Sequence, residues 1–418
     1  MVSDWRILRT FNRSIWRYLI VWALISFSYF GIQGVLLNLY LIRLGFGPAF
    51  IGMLAASGQL IWAVAALPAG ALGRRVGLRA VLVGGSTVLA LAMGALLLVE
   101  ALPRSMWTIW LFASWALLWL GAALTTVNSI PYLMHVSSAE ERNHAFVAQG
   151  VVMALAGLAG SLAAGVLPQL LVSLLGGSLD QPAPYRYALW LVPLMYVLCS
   201  AVWAGVRPVQ LVAECATSDV APRPVGLFIF FGLVVFLQSA GEGAVRTFFN
   251  VYLDRDLGIA TAWIGTIFGL SQLLALVLAL ITPQLLSRWG ARRILAASIV
   301  GIGVTLAPLA LFVHWLPATL GYVGLMSVLA VNGPAKNIFS QEMVAPRWRT
   351  TTSAIATIGV ALGWSGAAAV GGYLSAQAGF RSLFFVGSML AFAAAALLLG
   401  YGYAHSKRMR LSTAVLEG

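Results

Sequence analysis

The sequence predicts an all-α membrane protein, with twelve transmembrane helices in two six-helix bundles related by internal duplication. Three observations carry this. The 418 residues are 61% hydrophobic and only 9% charged, with a mean hydropathy of +0.93, beyond what a water-soluble domain reaches. Apolar runs of about 20 residues, enough to cross a hydrocarbon core of about 30 Å, follow one another with short polar breaks. The second half of the chain also repeats the first.

The runs place spans at 16–42, 50–73, 80–101, 106–135, 145–174 and 186–206, then at 226–251, 261–287, 291–314, 317–342, 352–377 and 382–404. Their length excludes a barrel, whose strands are about 10 residues long and alternate in polarity. Three regions follow: an N-terminal bundle over 1–206, a cytoplasmic linker over 207–225 and a C-terminal bundle over 226–418. The linker is polar and contains Pro208, Pro222 and Pro224, as connecting segments do. At the N-terminus Arg6, Arg9, Arg13 and Arg17 fall on one helical face, with Trp5, Leu8, Ile15 and Trp16 elsewhere, the pattern of a short interfacial helix. No small-residue cleavage site follows a short apolar core, so no removable signal peptide is expected.

The net charge of +13 would suit a nucleic-acid partner if it formed one patch, but it follows the loops instead. Both tails and the even-numbered loops hold Arg6, Arg9, Arg13, Arg17, Arg74, Arg75, Arg79, Arg142, Arg207, Arg223, Arg288, Arg292, Arg293, Arg347, Arg349, Lys407, Arg408 and Arg410, 18 of the 25 basic residues. The odd-numbered loops hold Arg43, Arg104, Arg186, Arg255 and Arg381, while Arg246 and Lys336 lie inside spans. The positive-inside rule then puts both termini in the cytoplasm and the protein in the cytoplasmic (inner) membrane, with the lipid bilayer rather than nucleic acid as its partner. Cys199 and Cys215 offer neither a disulfide framework nor metal spacing. His135 and His144 sit near Glu140 and Glu141 at a loop. No metal or other cofactor is expected.

The duplication can be followed residue by residue. Asn38, Tyr40 and Arg43 recur as Asn250, Tyr252 and Arg255, and after one inserted residue Leu44-Gly45 recurs as Leu257-Gly258. An offset of 213 pairs Ile51-Gly52 with Ile264-Gly265, Gln59 with Gln272, Arg75 with Arg288 and Gly77 with Gly290. An offset of 207 pairs Arg142 with Arg349 and Gly165 with Gly372, and Tyr185-Arg186 resembles Phe380-Arg381. Such repeats are common in transporters, whose substrate sites lie where the repeats meet.

The loop Gly70-Ala-Leu72-Gly-Arg74-Arg75-Val-Gly77-Leu-Arg79 resembles the signature Gly-x-Leu-x-Asp-Arg-x-Gly-Arg-Lys/Arg of the major facilitator superfamily. A weaker copy runs through Pro283, Leu285, Ser287, Arg288, Gly290 and Arg292, and Glu141-Arg142 precedes the fifth span. The resemblance covers the whole chain. It implies a secondary transporter of twelve helices that alternates access between its two bundles. Glycine permits the tight reversal, and arginines anchor the turn and can bond helix carbonyls. The usual aspartate is Arg74 here and Ser287 in the copy, so the charge relay that latches one conformation is either missing or rebuilt. Gly150, Gly157, Gly160 and Gly165 in the fifth span are somewhat like an antiporter motif of that family without its proline; they also suit plain close packing of helices, as do Gly359, Gly363, Gly366, Gly371 and Gly372.

Spans three, six, nine and twelve are almost wholly apolar and are expected to face lipid, whereas spans one, four, seven and ten carry the polar groups expected along a central cavity. In span seven Gln238, Glu242, Arg246 and Asn250 follow at intervals of four, one slowly turning face. Their counterparts for Glu242 and Arg246 are Phe30 and Gly34, so these charges are not shared scaffold. They form either a structural pair holding an outer gate or a coupling site, since a carboxyl in a membrane is costly to keep and can take up a proton.

In span ten Asn332, Lys336 and Ser340 repeat this spacing beside Asn337, and Lys336 faces Ser129 in the duplication. Upright helices would set Lys336 about 15 Å from Glu242 at about 1.5 Å per residue. That leaves Lys336 to bind a substrate anion, to pair with Glu342, or to reach for the cytoplasm. Tyr29, Gln33, Gln59, Asn128 and Tyr132 are cavity candidates in the first half, with Trp22 and Trp62 as aromatic walls.

No Gly-Lys-Ser/Thr phosphate loop is present, which argues against ATP-driven transport. No nucleophile and base lie together within a span, which argues against an enzyme. The expected function is secondary active transport of a small-molecule substrate by a monomer, as proton-coupled efflux of amphipathic or drug-like compounds. Uptake of an organic anion is the alternative, and a non-transporting membrane sensor or lipid-handling protein a second.

Overall fold

The chain is described by a computed structural model covering residues 11–208, 224–345 and 348–416. The expected interfacial residues Arg6 and Arg9, most of the linker with Cys215, and Arg347 lie outside the described residues; for 402–416 the backbone alone is described.

All regular structure among the described residues is helical. The spanning helices are α1 (Arg13–Arg43), α2 (Pro48–Val76), α3 (Leu78–Leu97), α4 (Trp107–Val136), α5 (Ala139–Leu175), α6 (Ala183–Ala204), α7 (Val225–Arg255), α8 (Thr261–Trp289), α9 (Ala291–Leu311) and α10 (Trp315–Glu342). A last helical stretch, Arg349–Leu416, is interrupted at Gly379, whose φ of 78° is one that L side chains rarely adopt. It therefore comprises α11 (349–378) and α12 (380–416), which completes twelve. Helices are the expected answer in a bilayer, where each backbone N–H and C=O must find its partner within the segment.

Local chemistry sets the ends. Asn12 caps α1, its side chain accepting from Ser14 N and Ile15 N at 2.9 Å. Ser138 and Glu141 form a reciprocal capping box at the start of α5. Gly77 (φ 94°) turns α2 into α3, and its duplicate Gly290 (φ 78°) turns α8 into α9, so the loop glycines of both halves are required by their backbone. Arg142 donates to the Met134 carbonyl at the end of α4. Arg349, its duplicate at offset 207, donates to the Gln341 carbonyl at the end of α10, again eight residues back. Arg79 likewise bonds the Ala204 carbonyl of α6.

The residues fall into two compact units, 1–220 with 250–276, and 221–249 with 277–418, so that the boundary cuts α7 between Phe249 and Asn250. In the first unit, Gly31 of α1 meets Gly160 of α5 so closely that a Cβ on Gly31 would stand 2.5 Å from the Gly160 Cα. Gly85 on α3 meets Gly121 on α4, Gly58 on α2 receives the Trp119 indole, and Gly165 on α5 meets Gly265 on α8. Asn128 of α4 donates to the Ala69 carbonyl of α2 at 3.1 Å, with its Oδ1 against Gly73. The junction of α2 with α4 is thus fastened by an amide and a glycine in the chain that lacks the loop aspartate.

In the second unit, Gly243 of α7 packs on Ala367 of α11. These are the duplicates of Gly31 and Gly160 by the same offsets. Gly241 of α7 meets Gly387 of α12, and Ser388 of α12 donates to the Gly303 carbonyl of α9 at 2.8 Å. Small residues let backbones approach where lipid offers no hydrophobic drive to associate. Most of the glycines of α5 and α11 serve this packing, although Gly150 and Gly366 meet nothing within 4 Å.

Two features depart from expectation. Along its most apolar stretch α3 is 56% buried, as is α9, while α2, α5 and α8 are 33%, 28% and 28% buried. Lack of polar groups permits a helix to face lipid but does not require it, and the small residues of α3 draw it against α4. Second, α1 is not a uniform α-helix, because Ser26–Gln33 forms a π-helical segment that carries Tyr29 and Gln33. Such segments often occur at functional sites.

Valine at Gly31 or Gly160 is expected to lower stability by about 1–3 kcal/mol through overpacking, and Gly150→Ala to leave it level or raise it by about 0.5–1 kcal/mol. Thermal unfolding of the detergent-solubilised variants measures both; equal effects at the three sites would contradict the packing described.

Candidate functional site

The second unit gathers most of the polar residues of spans seven and ten. The Gln238 Nε2 of α7 donates to Asn332 Oδ1 of α10 at 2.5 Å, and Asn332 Nδ2 donates to Ser298 Oγ of α9 at 2.9 Å. All three side chains are buried. A buried amide between helices is worth keeping only if its hydrogen bonds are made, and this chain of amides fixes α7, α9 and α10 at one level.

One turn further along α7 stands Glu242, 4% exposed. Its Oε1 accepts from the Trp364 indole Nε1 of α11 at 2.9 Å. Its Oε2 has no hydrogen bond and lies 3.8 Å from Arg246 Nε, one turn on. The Arg246 guanidinium sits 5.1 Å from the Trp364 ring centre, within cation–π range, and its side chain is 35% exposed. Glu242, Arg246 and Trp364 thus form a triangle in which the carboxylate is held by one good bond and one loose ion pair.

Lys336 lies one turn along α10 from Asn332, on the same helical face. It has no hydrogen bond or ion pair among the described residues, Glu342 included, yet it lies within the electrostatic reach of both Glu242 and Arg246. Glu242 and Lys336 each stand one turn from the Gln238–Asn332 contact, in opposite directions along α7 and α10, so the two charges influence each other without touching. Gly333-Pro334 lies within α10 just before Lys336. Asn337 is exposed beside it.

Other candidates lie elsewhere. Tyr132, expected along a cavity, is fully buried in the core of the first unit, edge-on to Trp203 at 5.3 Å. Asn128, also expected there, is the interhelical clamp described above. Gln33 is buried and accepts from Tyr196 Oη at 3.4 Å. Tyr29 is edge-on to Trp119, Gln59 is half-buried, and Trp62 donates to Thr126 Oγ1 at 3.2 Å. Of the loop motif, Arg74, Arg75, Arg288 and Arg292 are exposed, and Gly70 is in ordinary contact with Val127.

Asn250 ends the stripe of span seven in a different setting, within the first unit. Asn38 Nδ2 of α1 donates to its Oδ1 at 3.1 Å, and Asn250 Nδ2 donates to the Gly34 and Val35 carbonyls. The two asparagines matched by the duplication therefore meet each other. One turn on, Arg43 makes a two-armed ion pair with Asp254, one arm at 2.8 Å, and donates to the Leu179 carbonyl. The firm charge pair at this end of α7 is Arg43–Asp254, while Glu242 and Arg246 keep their looser one.

Trp364 was not among the sequence candidates, although a signal for it existed. At offset 207 its partner is Gly157, as unlike a pair as Glu242 with Phe30. In the first unit Gly157 leaves room for the Gln272 side chain, which donates to Ser161 Oγ at 3.3 Å.

A sequence profile of the Major Facilitator Superfamily matches residues 19–227 and 231–414. The chain belongs to this superfamily. Its fold is shared with solved transporters of low sequence identity: the nucleoside transporter NupG (TM-score 0.71, 15% identity, 92% of this chain and 98% of that one), a POT family transporter in complex with 5-aminolevulinic acid (0.70, 14%, 95% and 96%), and a D-xylose-proton symporter (0.68, 14%, 92% and 95%). No curated protein matches it in sequence. As a major facilitator superfamily protein it is a multi-pass membrane transporter of a small molecule, and not an enzyme.

Replacing Arg43 or Asp254 by alanine is expected to cost about 1–3 kcal/mol each, with a coupling of similar size in a double-mutant cycle. Partial recovery by the charge swap Arg43→Asp with Asp254→Arg completes the test, read by thermal unfolding; additive losses would show that the pair contributes no coupling.

Proposed function

We propose that this transporter is a proton-coupled secondary carrier in which Glu242 is the coupling group. The observation that carries the reading is the triangle of Glu242, Arg246 and Trp364: a buried carboxylate with one oxygen unbonded, held by an arginine at 3.8 Å. A proton on Oε2 would discharge the carboxylate and free Arg246, leaving the indole bond to Oε1 in place. One protonation event thereby changes the partners of a second charge and the position of a side chain. A guanidinium exposed at this depth of a spanning helix cannot face lipid cheaply, so its open side belongs to a water-filled pathway.

Trp364 offers this pathway an aromatic surface, which supports a substrate with an apolar part, as expected for an amphipathic compound. Proton-linked export of such compounds across the cytoplasmic membrane is the sequence-based form of the proposal, with both termini in the cytoplasm on the distribution of arginines. A monomeric carrier is part of the proposal. One of the related folds, the D-xylose-proton symporter, is named for proton coupling.

The test uses the full chain reconstituted in vesicles with an internal pH dye, offered nucleosides, D-xylose, 5-aminolevulinic acid and amphipathic aromatic acids under an imposed pH gradient. The wild type should move protons with at least one of these. Glu242→Gln should lose gradient-driven accumulation, by about tenfold or more, while retaining exchange of substrate for substrate. Unchanged accumulation by Glu242→Gln would overturn the coupling role.

A further inference from the structure

The ammonium of Lys336 is the one charge of the cluster that the structure leaves unanswered among the described residues. Glu242 is answered by Arg246 and Trp364, and Gln238 and Asn332 answer each other. Lys336 feels Glu242 and Arg246 but bonds to neither, and Glu342 does not approach it. A lysine reaching for the aqueous end of its helix would turn toward Glu342. Lys336 instead shares its face of α10 with Asn332, which bonds Gln238 of α7, and its charged neighbours are Glu242 and Arg246.

Resting on the proton-coupled carrier reading above, though not on its outward direction, we propose that the substrate is an organic monoanion with an apolar or aromatic body, its acidic group held by Lys336, and that it travels together with the proton taken up by Glu242, so that an inward proton gradient drives uptake rather than export. The electrostatics of the cluster single out this combination. Empty, with Glu242 ionised, the three charged groups sum to +1. Protonation of Glu242 alone raises the sum to +2 and leaves both cations without an anion. Binding of a monoanion alone lowers it to zero while Arg246 remains occupied by Glu242. Taking up both restores +1 and gives each cation an anionic or polar partner.

Proton and anion therefore promote one another's binding, and by linkage the promotion is mutual. The proton passes from water to Glu242 Oε2, Arg246 is released toward the substrate, and no covalent bond is made or broken. The groups that face Glu242 support this. Its own helix supplies Gln238 and Arg246, α10 supplies Lys336, α11 supplies the Trp364 N–H, and α12 meets the adjacent Gly241 with Gly387 and Ala391. No second acid among the described residues stands by to neutralise Lys336 or to take the proton in place of Glu242. The duplication agrees, since Lys336, Glu242, Arg246 and Trp364 correspond to Ser129, Phe30, Gly34 and Gly157. The charged site is confined to one repeat.

The experiment measures binding of 2-naphthoate to the purified full-length protein by calorimetry, with 2-naphthamide as its neutral isostere and 2-naphthylmethylammonium as a cation. The wild type should prefer naphthoate to the amide by about tenfold or more, as expected when one desolvated charge contact is gained. It should bind naphthoate more tightly at the lower of two pH values, with proton uptake accompanying the anion. Lys336→Gln should lose the preference for naphthoate while binding the amide as before, and Lys336→Arg should keep it. Glu242→Gln, a mimic of the protonated acid, should bind naphthoate with wild-type low-pH affinity at both pH values and take up no proton.

An unaltered naphthoate preference in Lys336→Gln would overturn the proposal, as would tighter binding at the higher pH or no binding of naphthoate by the wild type. Proton-linked, Glu242-dependent transport of naphthamide or the ammonium probe in preference to naphthoate would overturn it while leaving the carrier reading intact. Lys336-dependent anion binding without any dependence on Glu242 would overturn the joint uptake proposed here and, with it, the coupling role given to Glu242.

Discussion

A bilayer core supplies no water to satisfy a polar group, and each one placed there must be met from within the protein. This constraint orders the whole structure. It makes the backbone helical, it lets glycines bring carbonyls and Cα atoms of neighbouring helices together, and it gathers the few amides into hydrogen-bonded sets. Gln238, Asn332 and Ser298 form one such set, and Asn38 with Asn250 another. Against that background a side chain whose bonding is incomplete stands out. Glu242 Oε2, Gln238 Oε1 and the Lys336 ammonium are the three in the cluster that chemistry would first be asked to explain.

Much of this was legible in the sequence because the information is local or repeated. Composition and run length gave a helical membrane protein, and arginine placement gave the loops. The offsets of 212, 213 and 207 foretold equivalent contacts. Arg142 and Arg349 bond carbonyls eight residues back, Gly77 and Gly290 both take a positive φ, and Gly31 with Gly160 corresponds to Gly243 with Ala367. The stripe of Gln238, Glu242 and Arg246 was visible for the same reason, since four-residue spacing needs no tertiary knowledge.

What stayed hidden depends on distance in space. Nothing along the chain relates Arg43 to Asp254, 211 residues apart, and counting Arg43 as a loop residue concealed its partner. Tyr132 and Asn128 are polar on a spanning helix and so resembled cavity residues, but a tyrosine can be wholly enclosed by Trp203, and an asparagine can be used up on a carbonyl of the next helix. Trp364 was missed as an apolar residue in an apolar span, although its mismatch with Gly157 was open to inspection.

The π-helical segment Ser26–Gln33 bears on how this chain tolerates insertions and deletions. A wide turn accommodates an extra residue locally, so the helix on either side keeps its phase: Tyr18 still meets Gln149, and Asn38 and Arg43 still meet Asn250 and Asp254. Removing one residue within 26–33 would return the segment to ordinary α-helix with both flanks in place. The same loss elsewhere in α1 would turn everything beyond it by about 100° and carry Asn38 and Arg43 away from their partners. The segment that holds Tyr29 and Gln33 is thus the one part of the first helix whose length can vary without turning the contacts on either side of it out of register, at the expense of its own packing through Gly31.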